Sequence, residues 1–246
     1  MTAHPTSDGR LWCVPRPVVL LGAYAAVSLI HVLGHVADVT AITAVTKPML
    51  MPLLAAFLIS SSPRPFTRMV RLVLTALAFS WVGDVALEAS RLTDIEPLFL
   101  VGLGGFLVAQ VLYILAFTPV LRSSTPPRPP IWALGYVLYG AIMVGFAGPD
   151  LGELLLPVAV YAVAICTMGI VAAGVNRYTA IGAALFIVSD TLILLGYDLI
   201  DLLSFAENWQ RVLVMSTYTL AQGLLVYGVV VAQRGIWQED EEPAAP

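Results

Sequence analysis

The chain has 246 residues, of which 59% are hydrophobic and 11% are charged, and its formal net charge at pH 7 is −4. Soluble domains carry about 25% charged residues, so this composition excludes an ordinary water-soluble protein and predicts an integral membrane protein. No cluster of basic residues suggests nucleic-acid binding, and we expect no nucleic-acid partner.

Eight apolar segments are long enough for membrane helices, which need about 20 residues each. They lie at about 17–36, 40–60, 70–90, 97–120, 131–147, 152–173, 178–200 and 209–233. We therefore predict an all-α membrane protein with eight transmembrane helices. A single domain should cover residues 1–236, with an acidic disordered tail over 237–246.

The arginines predict the orientation of the chain. Of 11 arginines, nine lie at the two ends of the chain or in the connections after helices 2, 4 and 6. Only Arg91 and Arg211 belong to the opposite side. Because arginine and lysine are enriched in cytoplasmic segments, we expect both termini in the cytoplasm and the protein in the plasma membrane.

Three ionisable residues lie well inside predicted helices: Lys47 in helix 2, Asp84 in helix 3 and Asp190 in helix 7. At 1.5 Å per residue, each is about 10 Å below the predicted outer face. A charge facing lipid alone costs about 2.5–3.5 kcal/mol, so all three should face the interior. Two carboxyls beside one cation cannot both ionise freely, and we expect one to hold a proton near neutral pH. The cluster is either a functional site or an ion pair that only holds helices together.

Other polar residues share helix faces with this cluster. On helix 3, Ser80, Asp84 and Glu88 recur every four residues, and we expect Glu88, near the outer end, to be solvated. For Tyr161 in helix 6, a packing role and a site role are equally open. Further site candidates on helices 4, 7 and 8 are Gln110, Tyr113, Ser189, Tyr218 and Gln222. Gly102, Gly104 and Gly105 should allow helix 4 to pack closely on a neighbour.

Two weaker patterns lie in the first two helices. His31 and His35 are four residues apart with Asp38 just beyond, a spacing that suits a metal, but interfacial polar residues are the preferred interpretation. Pro48 and Pro52 should bend helix 2 and free backbone carbonyls that could accept from the ammonium of Lys47.

A faint internal repeat links the two halves of the chain. FSWVGD in helix 3 is similar to ALFIVSD in helix 7, and VAQVLY in helix 4 is similar to LAQGLLVY in helix 8. The pattern is compatible with two four-helix pseudo-repeats in the same orientation.

Five stretches in chain order carry a resemblance to a known family. They are TKPMLMPLL, WVGDVAL, GLGGFLVAQVLYILAF, GAALFIVSDTLIL and YTLAQGLL, and they resemble the YhhN-like membrane proteins, the lysoplasmalogenase family. The resemblance covers about residues 40 to 230 and implies an eight-helix membrane hydrolase. Such an enzyme cleaves the vinyl ether bond of a lysoplasmalogen to a fatty aldehyde and a glycerophospho-headgroup.

The resemblance and the buried carboxyls together suggest the site. Carried over by position, its motifs are Lys47-Pro48, Gly83-Asp84 and Ser189-Asp190, whereas Gln110 stands where many relatives have histidine. A vinyl ether reacts by proton transfer to carbon, and we assign that proton to Asp84. Asp190, ionised by Lys47, would stabilise the resulting cation and orient water. Alternatively, Lys47 binds an anionic lipid headgroup.

The remaining candidates complete this site. Gln110, Tyr113, Tyr161, Tyr218 and Gln222 would line a cavity open to the outer leaflet, and Ser189 would help position the water. The expected partners are a lysophospholipid substrate and membrane lipids, with no metal and no cofactor.

Two other functions remain open. A lipid transporter or a proton-coupled small-molecule transporter could also use a buried Lys and Asp cluster, and parallel repeats are common in transporters. A non-catalytic lipid-binding or assembly protein could use the same cluster as a structural strut. The oligomeric state does not follow from the sequence.

Overall fold

The computed structural model describes residues 17–64, 66–93, 95–123, 131–147, 152–195 and 207–241. Within these ranges the chain forms eight α-helices and one short 3₁₀ turn, Gly152–Leu154, that precedes the sixth helix. The helices are α1 Pro17–Val36, α2 Thr40–Ser61, α3 Arg68–Thr93, α4 Glu96–Ser123, α5 Ile131–Ala147, α6 Leu155–Ala173, α7 Arg177–Leu194 and α8 Glu207–Glu241.

The predicted all-α fold with eight helices is confirmed. Seven of the helices are long and apolar enough to cross a membrane, and α5 is a shorter apolar helix, which fits an integral membrane protein. The main difference is at the C-terminus, where α8 continues to Glu241 and so extends into the segment expected to be a disordered tail. Residues 242–246 of that tail lie outside the described residues. The orientation in the membrane stays a prediction, and we call the end of the bundle where α1 ends and α2 begins the predicted outer end.

The bundle places apolar side chains on its outside and polar ones inside. Val18 and Leu156 are 80% and 73% exposed, whereas Gln110 and Gln222 are fully buried and Asp84 is 2% exposed. In lipid, exposed aliphatic side chains carry no penalty, but a buried polar group must find a partner within the protein. The interior of this bundle is therefore organised by hydrogen bonds as well as by packing.

Glycines bring α3 and α4 into close contact beside Asp84. A Cβ atom added to Gly105 would lie 3.0 Å from both the Phe79 carbonyl oxygen and the Gly83 nitrogen of α3. A Cβ added to Gly83 would lie 2.7 Å from the Phe106 ring of α4. Small residues let membrane helices approach this closely and gain van der Waals contact. The predicted packing role thus holds at Gly105, but a Cβ at Gly104 would meet nothing within 4 Å.

The α7–α8 pair repeats this arrangement. A Cβ added to Gly182 of α7 would lie 2.9 Å from the Ala221 carbonyl oxygen of α8. The pairs α3–α4 and α7–α8 also share the most extensive contacts in the bundle. The third and fourth helices of each half are therefore in close and extensive contact, which is compatible with two pseudo-repeats. The repeat itself stays a prediction.

The two prolines of α2 act differently from the expectation. Proline has no N–H, so Pro52 cannot bond the carbonyl of Pro48 one turn earlier. That carbonyl instead accepts a hydrogen bond from the indole nitrogen of Trp81 on α3, at 2.9 Å. The freed carbonyl thus links α2 to α3, and the ammonium of Lys47 has a different partner, described below.

Substituting Gly105 by alanine tests the close contact. The added methyl group has backbone atoms on two sides, so we expect Gly105→Ala to lower the free energy of unfolding by about 1–3 kcal/mol. Gly104→Ala is the matched control, because its methyl group meets no neighbour and alanine favours a helix over glycine. Denaturant unfolding in detergent micelles would measure both variants. Equal stability of the two would contradict this packing.

Candidate functional site

Asp84 is the end of a buried hydrogen-bonded chain. Its carboxylate accepts a hydrogen bond from the Tyr218 hydroxyl of α8 at 2.8 Å. That hydroxyl in turn accepts from the Gln222 amide at 3.4 Å, and the amide also donates to the Ser80 hydroxyl at 3.2 Å. The Gln222 carbonyl accepts from the Tyr113 hydroxyl at 2.8 Å. Three helices, α3, α4 and α8, therefore meet at one polar network.

Aromatic packing fixes the position of the Tyr218 hydroxyl. The Tyr218 ring makes edge-to-face contacts with Phe106 and Phe186, at centroid distances of 5.8 and 5.5 Å, and these two rings also contact each other. Such pairs contribute about 0.5–1.5 kcal/mol beyond their buried area. Because Phe106 lies against Gly83, a larger residue at position 83 would displace the ring that supports Tyr218. This accounts for the glycine that precedes Asp84.

Asp190 has its own tyrosine partner. The Tyr161 hydroxyl of α6 donates a hydrogen bond to the Asp190 carboxylate, so Tyr161 belongs to the site. Asp190 is partly buried and lies close enough to Asp84 for the two charges to interact. Each of the two aspartates therefore has a tyrosine hydroxyl as its hydrogen-bond donor, across α3 and α8 for Asp84 and across α6 and α7 for Asp190.

Gln110 lies beside this second pair without a partner of good geometry. Its amide is close enough to the Tyr161 hydroxyl to interact electrostatically. Yet Gln110 is fully buried, and neither of its amide atoms makes an acceptable hydrogen bond with any residue that the structure describes. An unsatisfied buried polar group costs about 1–3 kcal/mol, which makes Gln110 a candidate for holding water or substrate.

Lys47 pairs with Glu88 instead of Asp190. The Lys47 ammonium lies 3.4 Å from the Glu88 carboxylate, whose other oxygen accepts from the Arg91 guanidinium at 2.5 Å. Glu88 is 7% exposed, so the expectation that it is solvated was wrong. Asp84 lies one turn before Glu88 on α3 and within electrostatic range of Lys47, whereas no hydrogen bond or ion pair joins Lys47 to Asp190 among the described residues. The proposed ionisation of Asp190 by Lys47 therefore has no support in the geometry.

The two histidines are buried between helices near the predicted outer end. His31 is fully buried, and its Nδ1 lies 2.8 Å from the Thr46 hydroxyl of α2. The His35 ring packs edge-to-face on His31 at 4.8 Å. Within the described ranges, no three His, Cys, Asp or Glu side chains are grouped as metal ligands would be. The sequence did signal these residues by their spacing, but it did not place them next to Lys47 and Glu88.

Ser189 makes a hydrogen bond between two helices. It is buried and donates a hydrogen bond to the Val214 carbonyl of α8 at 3.2 Å, which links α7 to α8. The cavity expected between the aspartates stays a prediction. Two depressions that the structure does show lie at opposite ends of the bundle, and neither is lined by Asp84 or Asp190.

Comparisons with known proteins agree with the motifs. The model of the YhhN family matches residues 42–229 of the chain. Two similar proteins, both named lysoplasmalogenase, come from Mycobacterium bovis (strain ATCC BAA-935 / AF2122/97) and Mycobacterium tuberculosis (strain CDC 1551 / Oshkosh). Each is 33% identical over 138 residues, which is 54% of this chain and 52% of the relative. The match thus spans about half the length of these curated relatives. No solved structure is significantly similar to the chain.

The Lys47–Glu88 pair can be tested by a double-mutant cycle. Glu88→Gln leaves a buried ammonium without its counter-ion, so we expect the free energy of unfolding to fall by about 3 kcal/mol. Adding Lys47→Met should restore much of this loss and give a coupling energy of about 1 kcal/mol or more. Unfolding in detergent micelles is the measurement, and Glu153→Gln, at an exposed position, should change stability by less than about 0.5 kcal/mol. Simple additivity of the two changes would show that the pair does not couple.

Proposed function

The chain belongs to the YhhN family, and on this premise we propose that it is a membrane-embedded hydrolase that cleaves the vinyl ether bond of lysoplasmalogens. The products are a fatty aldehyde and a glycerophospho-headgroup, and the proposed location is the plasma membrane. The names of the two mycobacterial relatives support this reaction. The membrane-spanning fold supports a substrate that partitions into lipid.

One observation carries the proposal. Two aspartates, Asp84 and Asp190, lie within electrostatic range of each other in an apolar bundle, and each accepts a hydrogen bond from a buried or partly buried tyrosine. Ionisable groups inside membranes are costly and mark functional sites. Enzymes that form an oxocarbenium ion, such as glycosidases, use two carboxyl groups in this way, one as a proton donor and one as an anion.

Vinyl ether cleavage requires a proton donor. The double bond is inert to base and to ordinary nucleophiles, so the reaction begins with proton transfer to the carbon that is not bonded to oxygen. The electron pair of the double bond forms the new C–H bond, and the neighbouring carbon becomes part of an oxocarbenium ion. General acid catalysis of such a step contributes about 10²- to 10⁴-fold.

The geometry favours a division of roles opposite to the one expected from the sequence. That expectation placed Lys47 beside Asp190, but Lys47 binds Glu88, one turn from Asp84 on α3. An adjacent cation favours the anionic carboxylate, so we assign the anion to Asp84 and the transferred proton to Asp190. A protonated Asp190 can still accept the Tyr161 hydrogen bond at its carbonyl oxygen. The Asp84 carboxylate then faces the positive charge that develops on the substrate.

Water then adds to the oxocarbenium ion, and the resulting hemiacetal breaks down to the products. The water oxygen bonds to the oxocarbenium carbon while Asp84 takes one of the water protons, which gives a hemiacetal. The hemiacetal hydroxyl then returns a proton to Asp190, the bond from carbon to the glycerol oxygen breaks, and Asp84 protonates that oxygen. Both aspartates are thereby restored. The Gln110 amide, buried next to Tyr161, is well placed to hold the attacking water.

Release of a fatty aldehyde by the purified protein tests the proposed function. We expect aldehyde from a 1-alkenyl lysophospholipid and none from the 1-alkyl analogue, which lacks the double bond that takes up the proton. Asp190→Asn and Asp84→Asn should each lower kcat by about 10²- to 10⁴-fold without loss of folding. Glu153→Gln is the control carboxyl change and should keep wild-type turnover.

Separate measurements show which aspartate donates the proton and whether the protein is a hydrolase or a transporter. Methanol can capture an oxocarbenium ion in place of water, so it should yield a methyl acetal with Asp84→Asn and none with Asp190→Asn. The reverse pattern would restore Asp84 as the acid. Absence of aldehyde from the folded wild-type protein, with uptake of the lipid into proteoliposomes, would favour the transporter. A chelator should leave the activity unchanged.

The role of Gln110 predicts opposite effects on activity and stability. Gln110→Met removes an amide without a geometrically good protein partner, so stability should stay the same or rise, while loss of the water contact should lower kcat about 10-fold. Gln222→Met is the matched comparison, because Gln222 is hydrogen-bonded to Tyr113, Tyr218 and Ser80. It should lower the free energy of unfolding by about 1–3 kcal/mol. A loss of stability in Gln110→Met equal to that in Gln222→Met would refute the water-binding role.

A further inference from the structure

A shallow depression at the predicted outer end brings both signs of charge together. It lies where α1 and α3 end and where α2 and α8 begin, and its lining includes His35, Asp38, Thr43, Arg91 and Arg211. Arg91 and Arg211 are the two arginines that the charge pattern assigns to the outer side. The depression therefore collects these two arginines and one aspartate from three different helix ends.

The depression connects directly to the ion pairs inside the bundle. His35, which is 8% exposed, lies within electrostatic range of Lys47, Glu88, Arg91 and Arg211. The Arg91 side chain is 31% exposed, and one of its nitrogens binds Glu88. A guanidinium has five N–H donors, so Arg91 keeps donors for a ligand in the depression.

Asp38 occupies a backbone position that glycine usually takes. It follows the end of α1 with φ of 52°, in the left-handed region, while its N–H and that of Val39 bond the last carbonyls of the helix. Glycine is common at such helix ends because a side chain is disfavoured there. Asp38 is exposed, and its carboxylate makes no ion pair with any of the described residues, so its negative charge faces the depression and solvent.

The distance along α3 between Asp84 and the depression is similar to the distance between the vinyl ether and the phosphorus of a lysoplasmalogen. Arg91 lies seven residues after Asp84 on α3, which is about 10 Å at 1.5 Å per residue. In a lysoplasmalogen, the carbon that takes up the proton is about seven bonds from phosphorus, or about 9 Å when extended. With its vinyl ether beside Asp84 and Asp190, such a lipid would therefore carry its phosphate at the level of Arg91.

We propose that this depression, formed by Arg91, Arg211 and Asp38, binds the phosphodiester headgroup of a lysophospholipid that carries an amine. The two arginines bind the phosphate oxygens, for which their planar guanidinium groups are well suited. Asp38 binds the ammonium group, which lies beyond the phosphate in this class of lipid. The inference rests on the proposed function, because that function places the vinyl ether at the aspartates.

A binding measurement separates this site from the catalytic site. The probe is a 1-alkyl lysophosphoethanolamine, which cannot be hydrolysed, and the reference is a 1-alkylglycerol, which has the same chain but no headgroup. Arg91→Gln and Arg211→Gln should each weaken binding of the phospholipid about 10-fold, the effect of losing a charge-assisted hydrogen bond, and leave alkylglycerol binding unchanged. Arg177→Gln, at the other end of the bundle, is the control and should affect neither ligand.

A second comparison tests the contact between Asp38 and the ammonium group of the headgroup. Asp38→Asn should weaken binding of the lysophosphoethanolamine and not of a 1-alkyl lysophosphatidic acid, which has the phosphate but no amine. Competition with inorganic phosphate identifies the source of the phosphate group. Displacement of the lipid at equal concentrations of phosphate would indicate a site for the free ion and overturn the proposal.

Three results distinguish failure of this site from failure of the proposed function. The headgroup site would be overturned if the arginine variants lost equal binding affinity for alkylglycerol and phospholipid, or lost affinity for neither. Aldehyde release by the wild-type protein in that case would leave the proposed function intact. Headgroup-dependent binding that is lost in the arginine variants, without aldehyde release by the wild type, would support the site and refute the hydrolase.

Discussion

The hydrogen bond from Tyr218 to Asp84 is the interaction around which the bundle is organised. A carboxyl group that is 2% exposed in an apolar interior has no water to solvate it, so the protein must supply its partners. The requirement explains features that look unrelated in the sequence. Gly83 lets Phe106 approach α3, Phe106 supports the Tyr218 ring, and Gln222 orients the Tyr218 hydroxyl. The close helix packing at Gly83 and the hydrogen bonds of the buried polar groups thus both follow from the need to give Asp84 a partner.

Ion pairs and hydrogen bonds between tyrosine and aspartate occupy different levels of the bundle. Toward the predicted outer end, Glu88 binds both Lys47 and Arg91, so this group of three residues keeps one net positive charge. One turn deeper, Asp84 has Tyr218 as its hydrogen-bonding partner, and Asp190 has Tyr161. Tyrosine hydroxyls stabilise a carboxylate but also tolerate its neutral form, which a tightly bound ammonium would oppose. The structure therefore separates the tyrosine-bound aspartates from the group of residues that form ion pairs.

The helices could be predicted from the sequence because the membrane requires about 20 apolar residues for each span. Asp84, Asp190 and Lys47 could be selected because ionisable groups deep in a span are rare and costly. Glu88 could not be placed by the same reasoning. It lies near the end of α3, where depth alone does not decide between water and interior, and its partner Lys47 is 41 positions away in the chain. Gln110 could be named as a candidate, but only the packing shows that its amide lacks a partner of good geometry.

The long sequence separation of the hydrogen-bonded pairs also bears on biosynthesis. Asp84 and Tyr218 are 134 positions apart, and Tyr113 and Gln222 are 109 apart. A growing chain that has released α3 and α4 from the ribosome has therefore not yet made the groups that these helices need. Until α8 is inserted, Asp84 and Tyr113 must rely on water or on temporary partners at the insertion machinery. The hydrogen-bonded network around Asp84 thus forms only when the last helix joins the bundle, and a partly synthesised chain does not contain it.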